Sequence, residues 1–134
     1  MANIQDIEGI GPAFGEKLEA AGIKTVEALL EQGASAAGRK AIEEQTGIEG
    51  GKILTWVNHA DLFRIKGVAG QFSELLEASG VDTVAELAQR NPANLAAKMG
   101  EVNAEKNLAN RVPSESEVEK WIEEAGTLPK IVTH

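Results

Sequence analysis

Apolar side chains along this chain recur at helical spacing. Phe14, Leu18 and Ala21 share one face, then Val26, Leu29 and Leu30, and later Val118, Trp121 and Ile122, the return expected of amphipathic helices. No convincing strand-like alternation of apolar and polar residues appears. The punctuation between the helices agrees with this. Ile4 and Ile7 begin a short helix that Gly9 must interrupt, and Pro12 suits the first position of the next, where no N–H is needed. Gly22 falls where a left-handed cap closes that helix, and Thr25 can cap its successor. Gly33 and the Gly50-Gly51 pair bound two further helices, about 35–45 and 52–63. Thr83-x-x-Glu86 has the form of a capping box. Asn91 before Pro92, and Ser114-x-x-Glu117 before Val118, signal two later helix starts. The expected fold class is all-α.

The pattern also repeats. Residues 4–30 align with 62–88 at a shift of 58, which sets Ile7 on Ile65, Gly9 on Gly67, Phe14 on Phe72, Leu18 on Leu76, Gly22 on Gly80 and Thr25-Val26 on Thr83-Val84. Further along, Trp56 aligns with Trp121 at a shift of 65, so the second copy carries about seven extra residues, expected near 100–111. The reading is of two tandem helical repeats, 1–61 and 62–134, in one pseudo-symmetric domain, each burying its apolar face against itself and its neighbour.

Composition narrows the function. The 134 residues are 43% hydrophobic and 25% charged, the balance of one ordinary globular domain. Without cysteine, disulfides, thiolate zinc sites and a cysteine nucleophile are excluded. There is no basic-then-apolar leader and no apolar run near ~18 residues, so a cytoplasmic, membrane-free protein is expected. The net charge of -8 weighs against broad attraction to polyphosphates. Neither copy is basic: residues 1–61 hold five basic and ten acidic side chains, and residues 62–134 hold eight and eleven.

Gly9, Ile10, Gly11 and Pro12 raise a specific possibility. Gly9 can take a positive φ, Ile10 can anchor the turn in the core, and Gly11 lets the backbone approach another group closely. A helix that starts there offers free N–H groups and the positive end of its dipole to an anion. Around this turn Glu8 opposes phosphate while Lys17 and Lys24 favour it. The second copy has Arg64 and Lys66 well placed, but its turn reads Gly67-Val68-Ala69-Gly70, so Ala69 replaces the second glycine and no proline opens the helix. A dinucleotide-binding G-x-G-x-x-G is excluded, because no strand precedes it and Gly15 comes one position late. The competing reading makes both turns purely structural.

The succession Ile4, Ile7, Gly9, Ile10, Gly11, Leu18 resembles the helix-hairpin-helix motif of DNA repair and replication proteins, which implies sequence-independent contact with duplex phosphates. Over nearly its whole length the chain is similar to an uncharacterised bacterial family, catalogued as domain of unknown function 4332, with tandem helix-hairpin-helix units. The resemblance rests on Ile7-EGIGPAF-Phe14, Trp56-VNHADLFRIKGV-Val68, Asn91-PANLAAKM-Met99, Arg111-VPSESEVEKWI-Ile122 and Pro129-KIVTH-His134.

Catalytic chemistry finds little support. The histidines are His59 and His134; His59 and Asp61 are two residues apart and so face different ways on a helix, which makes His59 a partly exposed surface histidine. Ser35 reads as a helix cap, and Glu43-Glu44 and Glu123-Glu124 as solvated faces. Trp56 and Trp121 read as core plugs. No catalytic residue, metal ligand, cofactor or small-molecule substrate is expected. Two functions remain. One is a non-enzymatic binder of duplex DNA backbone through Gly9, Ile10, Gly11, Pro12 and Lys17, with Lys66, Gly67, Ala69 and Gly70 as a second contact. The other is a protein-interaction module whose acidic face, Glu115, Glu117, Glu119, Glu123 and Glu124, meets a basic protein partner.

Overall fold

The computed structural model describes residues 2–133. A 3-10 turn at Ile4–Asp6 is followed by eight α-helices among the described residues: α1 (Pro12–Ala20), α2 (Val26–Gly33), α3 (Ala36–Thr46), α4 (Gly50–Leu62), α5 (Gly70–Ala78), α6 (Val84–Leu87), α7 (Pro92–Lys106) and α8 (Glu115–Thr127). The protein is all-helical over the described residues, apart from a single bridge between Asn3 and Thr25. None of the described helices is long and apolar enough to cross a membrane.

The chain forms two compact units, Met1–Asp61 joined by Ile131–His134, and Leu62–Lys130. Buried side chains of the first include Ile4, Leu18, Ile23, Leu29, Ile53 and Val57. In the second, Leu75, Leu76, Leu87, Leu95, Met99 and Val118 belong to one cluster. A side chain of this size contributes about 1.5–3 kcal/mol when removed from water.

The repeat extends to individual hydrogen bonds. At the end of α1 the Gly22 N–H donates to the Glu19 carbonyl and the Ile23 N–H to Leu18; at the end of α5 the Gly80 N–H donates to Glu77 and the Val81 N–H to Leu76. This paired closure needs a left-handed residue after the helix, and Gly22 and Gly80 supply it at φ +88° and +95°. The hydroxyls of Thr25 and Thr83 then accept from the N–H groups of Ala28 and Glu86. Thr83 caps α6 without the return bond from Glu86, whereas at α8 Ser114 and Glu117 complete a reciprocal box.

Between the caps the copies diverge. Helix α2 has eight residues and its counterpart α6 four; α3 has eleven and α7 fifteen. The left-handed ends of α3 and α7, Gly47 and Asn107, are 60 apart, but the first residues of α4 and α8, Gly50 and Glu115, are 65 apart. Most of the extra length therefore lies in the loop after Asn107. That loop is pinned: the Asn103 amide donates to the Ala109 carbonyl at 3.0 Å and accepts from its N–H at 2.8 Å.

Candidate nucleic-acid interface

Each unit carries a glycine turn ahead of a nine-residue helix. In the first, the Ile10 N–H donates to the Ile7 carbonyl at 3.1 Å, and in the second the Val68 N–H donates to Ile65 at 3.1 Å. Ile7, Ile10, Ile65 and Val68 are buried and anchor the turns from below. Gly9 and Gly67 sit at φ +94° and +91°, where a side chain is strained. A Cβ on Gly9 would lie 3.2 Å from Nε1 of Trp56, and one on Gly67 would lie 3.4 Å from Nε1 of Trp121. Both indoles are buried. They also support the following helix: Phe14 packs at 5.2 Å and 59° against Trp56, and Phe72 at 5.4 Å and 53° against Trp121, tilted pairs that add about 0.5–1.5 kcal/mol each beyond area burial.

Gly11 plays a different part. Its backbone is extended at φ -90° and ψ -170°, a conformation open to any residue, and an added Cβ would meet nothing within 4 Å. The counterpart Ala69 adopts φ -133° and ψ -164° with a Cβ in place. The fold therefore does not require glycine at position 11, and its effect there is to bare an exposed stretch of backbone.

Side-chain capping is withheld at the same places. Thr25, Ser35, Thr83, Asn91 and Ser114 cap α2, α3, α6, α7 and α8 through a side-chain oxygen, whereas α1 and α5 start at Gly11 and Ala69 with no side-chain cap. The first N–H groups of α5, and in α1 those after Pro12, which has none, have no side-chain cap and can meet an outside acceptor.

The charges around the turns are unequal. Lys17 lies in the last turn of α1, with Nζ 6.0 Å from the Phe14 ring centroid. Sequence reasoning missed Lys52 of α4, whose Nζ lies 5.9 Å from the same centroid. At a shift of 65 Lys52 corresponds to Glu117, a reversal of sign. There the extra loop supplies the cation: Cζ of Arg111 is 5.1 Å from the Phe72 centroid, and its two terminal nitrogens donate to the Glu117 carboxylate at 2.7 and 2.8 Å. The guanidinium, with the Ser114 N–H beside it, pulls the Glu117 carboxyl down to about 2, while Glu117 pushes Arg111 up.

Other groups near the second turn are already engaged. Arg64 donates to the Pro129 carbonyl at 2.7 Å. The Lys66 N–H donates to Glu124 at 3.2 Å to Oε1 and 3.3 Å to Oε2, so Glu124 is not simply a solvated carboxylate on α8. Lys66, Gly67, Lys120, Trp121 and the two carboxylates Glu117 and Glu124 line a depression of about 410 Å³.

Two further residues differ from their sequence readings. His59 is buried, not partly exposed, because residues 56–62 of α4 are buried without a break and leave no wet face there. Arg39 drew no notice in the sequence, yet it is only 8% exposed and donates to the carbonyls of Gly33, Ala34 and Thr133 at 2.8, 3.1 and 2.7 Å. Burial lowers its affinity for the proton. The cation ties the C-terminal carbonyls of α2, the negative end of a helix dipole, to the returning tail.

The features assembled here define an all-helical protein built from two related units, each with a glycine turn braced by a tryptophan. The family model described as "Domain of unknown function (DUF4332)" matches residues 8–128, and the chain belongs to that family. Neither a curated protein nor a solved structure matches it.

Proposed function

We propose that the protein is a non-enzymatic tandem helix-hairpin-helix protein that binds the phosphate backbone of duplex DNA through its first turn, Gly9-Ile10-Gly11-Pro12. The observation that carries this reading is Gly11: nothing inside the fold needs the missing Cβ, and the position starts a helix without a side-chain cap. A phosphate there receives backbone N–H groups and the positive end of the dipole, together about 0.3–1 kcal/mol for an exposed site. Lys17 and Lys52 add cationic charge on the same unit. With few cations and a net charge of -8, binding is weak and sequence-independent, and its salt slope is set by the few phosphates that those cations neutralise.

The test is fluorescence anisotropy of labelled duplex DNA, with single-stranded DNA and RNA beside it, at low and near-physiological salt. Gly11→Val places a branched side chain in open space on extended backbone, so the variant stays folded and loses duplex binding. Unchanged affinity in that variant sinks the proposal. A second reading, a protein-interaction module, is favoured by the exposed Glu115, Glu119 and Glu123 along α8; it requires capture of a basic protein partner that charge reversal of those residues abolishes.

A further inference from the structure

Glu124 of α8 touches the backbone of the second turn, whereas the carboxylate beside the first turn, Glu8, belongs to the turn itself. Its two oxygens share the Lys66 N–H at 3.2 and 3.3 Å, one residue before the positive-φ Gly67. At a shift of 65 the residue on α4 corresponding to Glu124 is His59, an imidazole, so the first turn receives no anion from that position. Glu117 adds a second carboxylate to the same depression, held ionised by Arg111.

We propose that Glu124 is an internal anion that closes the second turn to phosphate, making the two turns functionally unequal. The proposal rests on the phosphate-binding reading of the first turn. The Glu124 carboxylate occupies the Lys66 N–H within the turn and repels a phosphate approaching the uncapped start of α5. The four residues of the second contact then divide: Gly67 maintains the turn, Ala69 and Gly70 start a helix without a side-chain cap, and Lys66 has its backbone donor committed to α8. Removing the charge at 124 converts the closed turn into a second phosphate contact.

The test uses the full chain as wild type, Glu124→Gln, Gly11→Val and the double variant. Duplex binding is read by anisotropy across a salt series, and the Lys66 amide by proton-nitrogen NMR. Glu124→Gln moves the Lys66 amide resonance, raises duplex affinity about tenfold at low salt, and restores binding to the Gly11→Val background. Duplex binding by wild type that Gly11→Val abolishes and Glu124→Gln leaves unchanged overturns this inference while the first-turn reading stands. Binding that appears only in the variants carrying Glu124→Gln removes the first-turn reading and, with it, the proposed division of roles between the two turns. Absence of binding in all four proteins overturns both. An unmoved Lys66 resonance in Glu124→Gln overturns the hydrogen bond itself, whatever the affinities.

Discussion

Gly9→Ala and Gly11→Ala, compared side by side, test whether the two glycines of the first turn do different jobs. At Gly9 the backbone lies at φ +94°. Forcing an alanine into left-handed backbone costs about 1–2 kcal/mol, and the new methyl at 3.2 Å from Nε1 of Trp56 makes a buried ring shift, a further cost of the same sign. A loss of about 2 kcal/mol follows. Gly11→Ala meets neither obstacle, and restricting the unfolded chain gains about 0.5 kcal/mol. The two variants are thus separated by about 2.5 kcal/mol. Urea titration followed by tryptophan fluorescence reads this directly, because Trp56 braces the turn and a slope of about 1.5 kcal/mol per molar places the midpoints more than ~1 M apart. The reasoning fails if Gly11→Ala loses more than ~1 kcal/mol, or if Gly9→Ala lies within ~0.5 kcal/mol of wild type. Gly67→Ala repeats the loss in the second unit, somewhat smaller because its approach to Trp121 is 3.4 Å.

Arg39→Met removes three bonds to buried or partly buried carbonyls and costs about 2–4 kcal/mol; chemical denaturation measures the loss, and hydrogen exchange at the Thr133 amide, which bonds Ala34 at 2.8 Å, shows release of the tail. The Glu117 carboxyl has a folded value of about 2 against an ordinary 4.5, so its contribution is present above the ordinary range and fades as pH falls toward 2. Glu117→Gln therefore flattens the acid limb of a stability-against-pH curve between about 4.5 and 2; an unchanged limb refutes the ion pair with Arg111. Replacing Lys17 or Lys52 by alanine lowers duplex affinity equally for all sequences, and the logarithmic salt slope becomes shallower by about 0.9 for each phosphate no longer neutralised.

The helices and their stops were legible because their causes are local. Gly22 and Gly80 bear the left-handed closures assigned to them, and Thr25, Ser35, Asn91 and Ser114 cap the helices they precede. Family membership was legible for the same reason, as runs of residues carry it. The groups that were missed act over long separations. Nothing beside Arg39 hints that it meets a carbonyl 94 positions away, and the Glu123-Glu124 pair looks solvated until the 58-residue return to Lys66 is seen. Lys52 was overlooked because its partner Phe14 lies on another helix. Arg111 falls in the stretch that has no counterpart in the first copy, so alignment of the copies could not interpret it.

The grouping of Ile131–His134 with Met1–Asp61 bears on how the chain is made. The first unit is discontinuous in sequence, and its closing segment is synthesised only after all of Leu62–Lys130. Until Val132 and Thr133 leave the ribosome, Arg39 lacks one of its three carbonyl partners and the site that buries Val132 is unfilled. The first unit, although encoded first, therefore cannot complete its packing until the whole of the second has been synthesised.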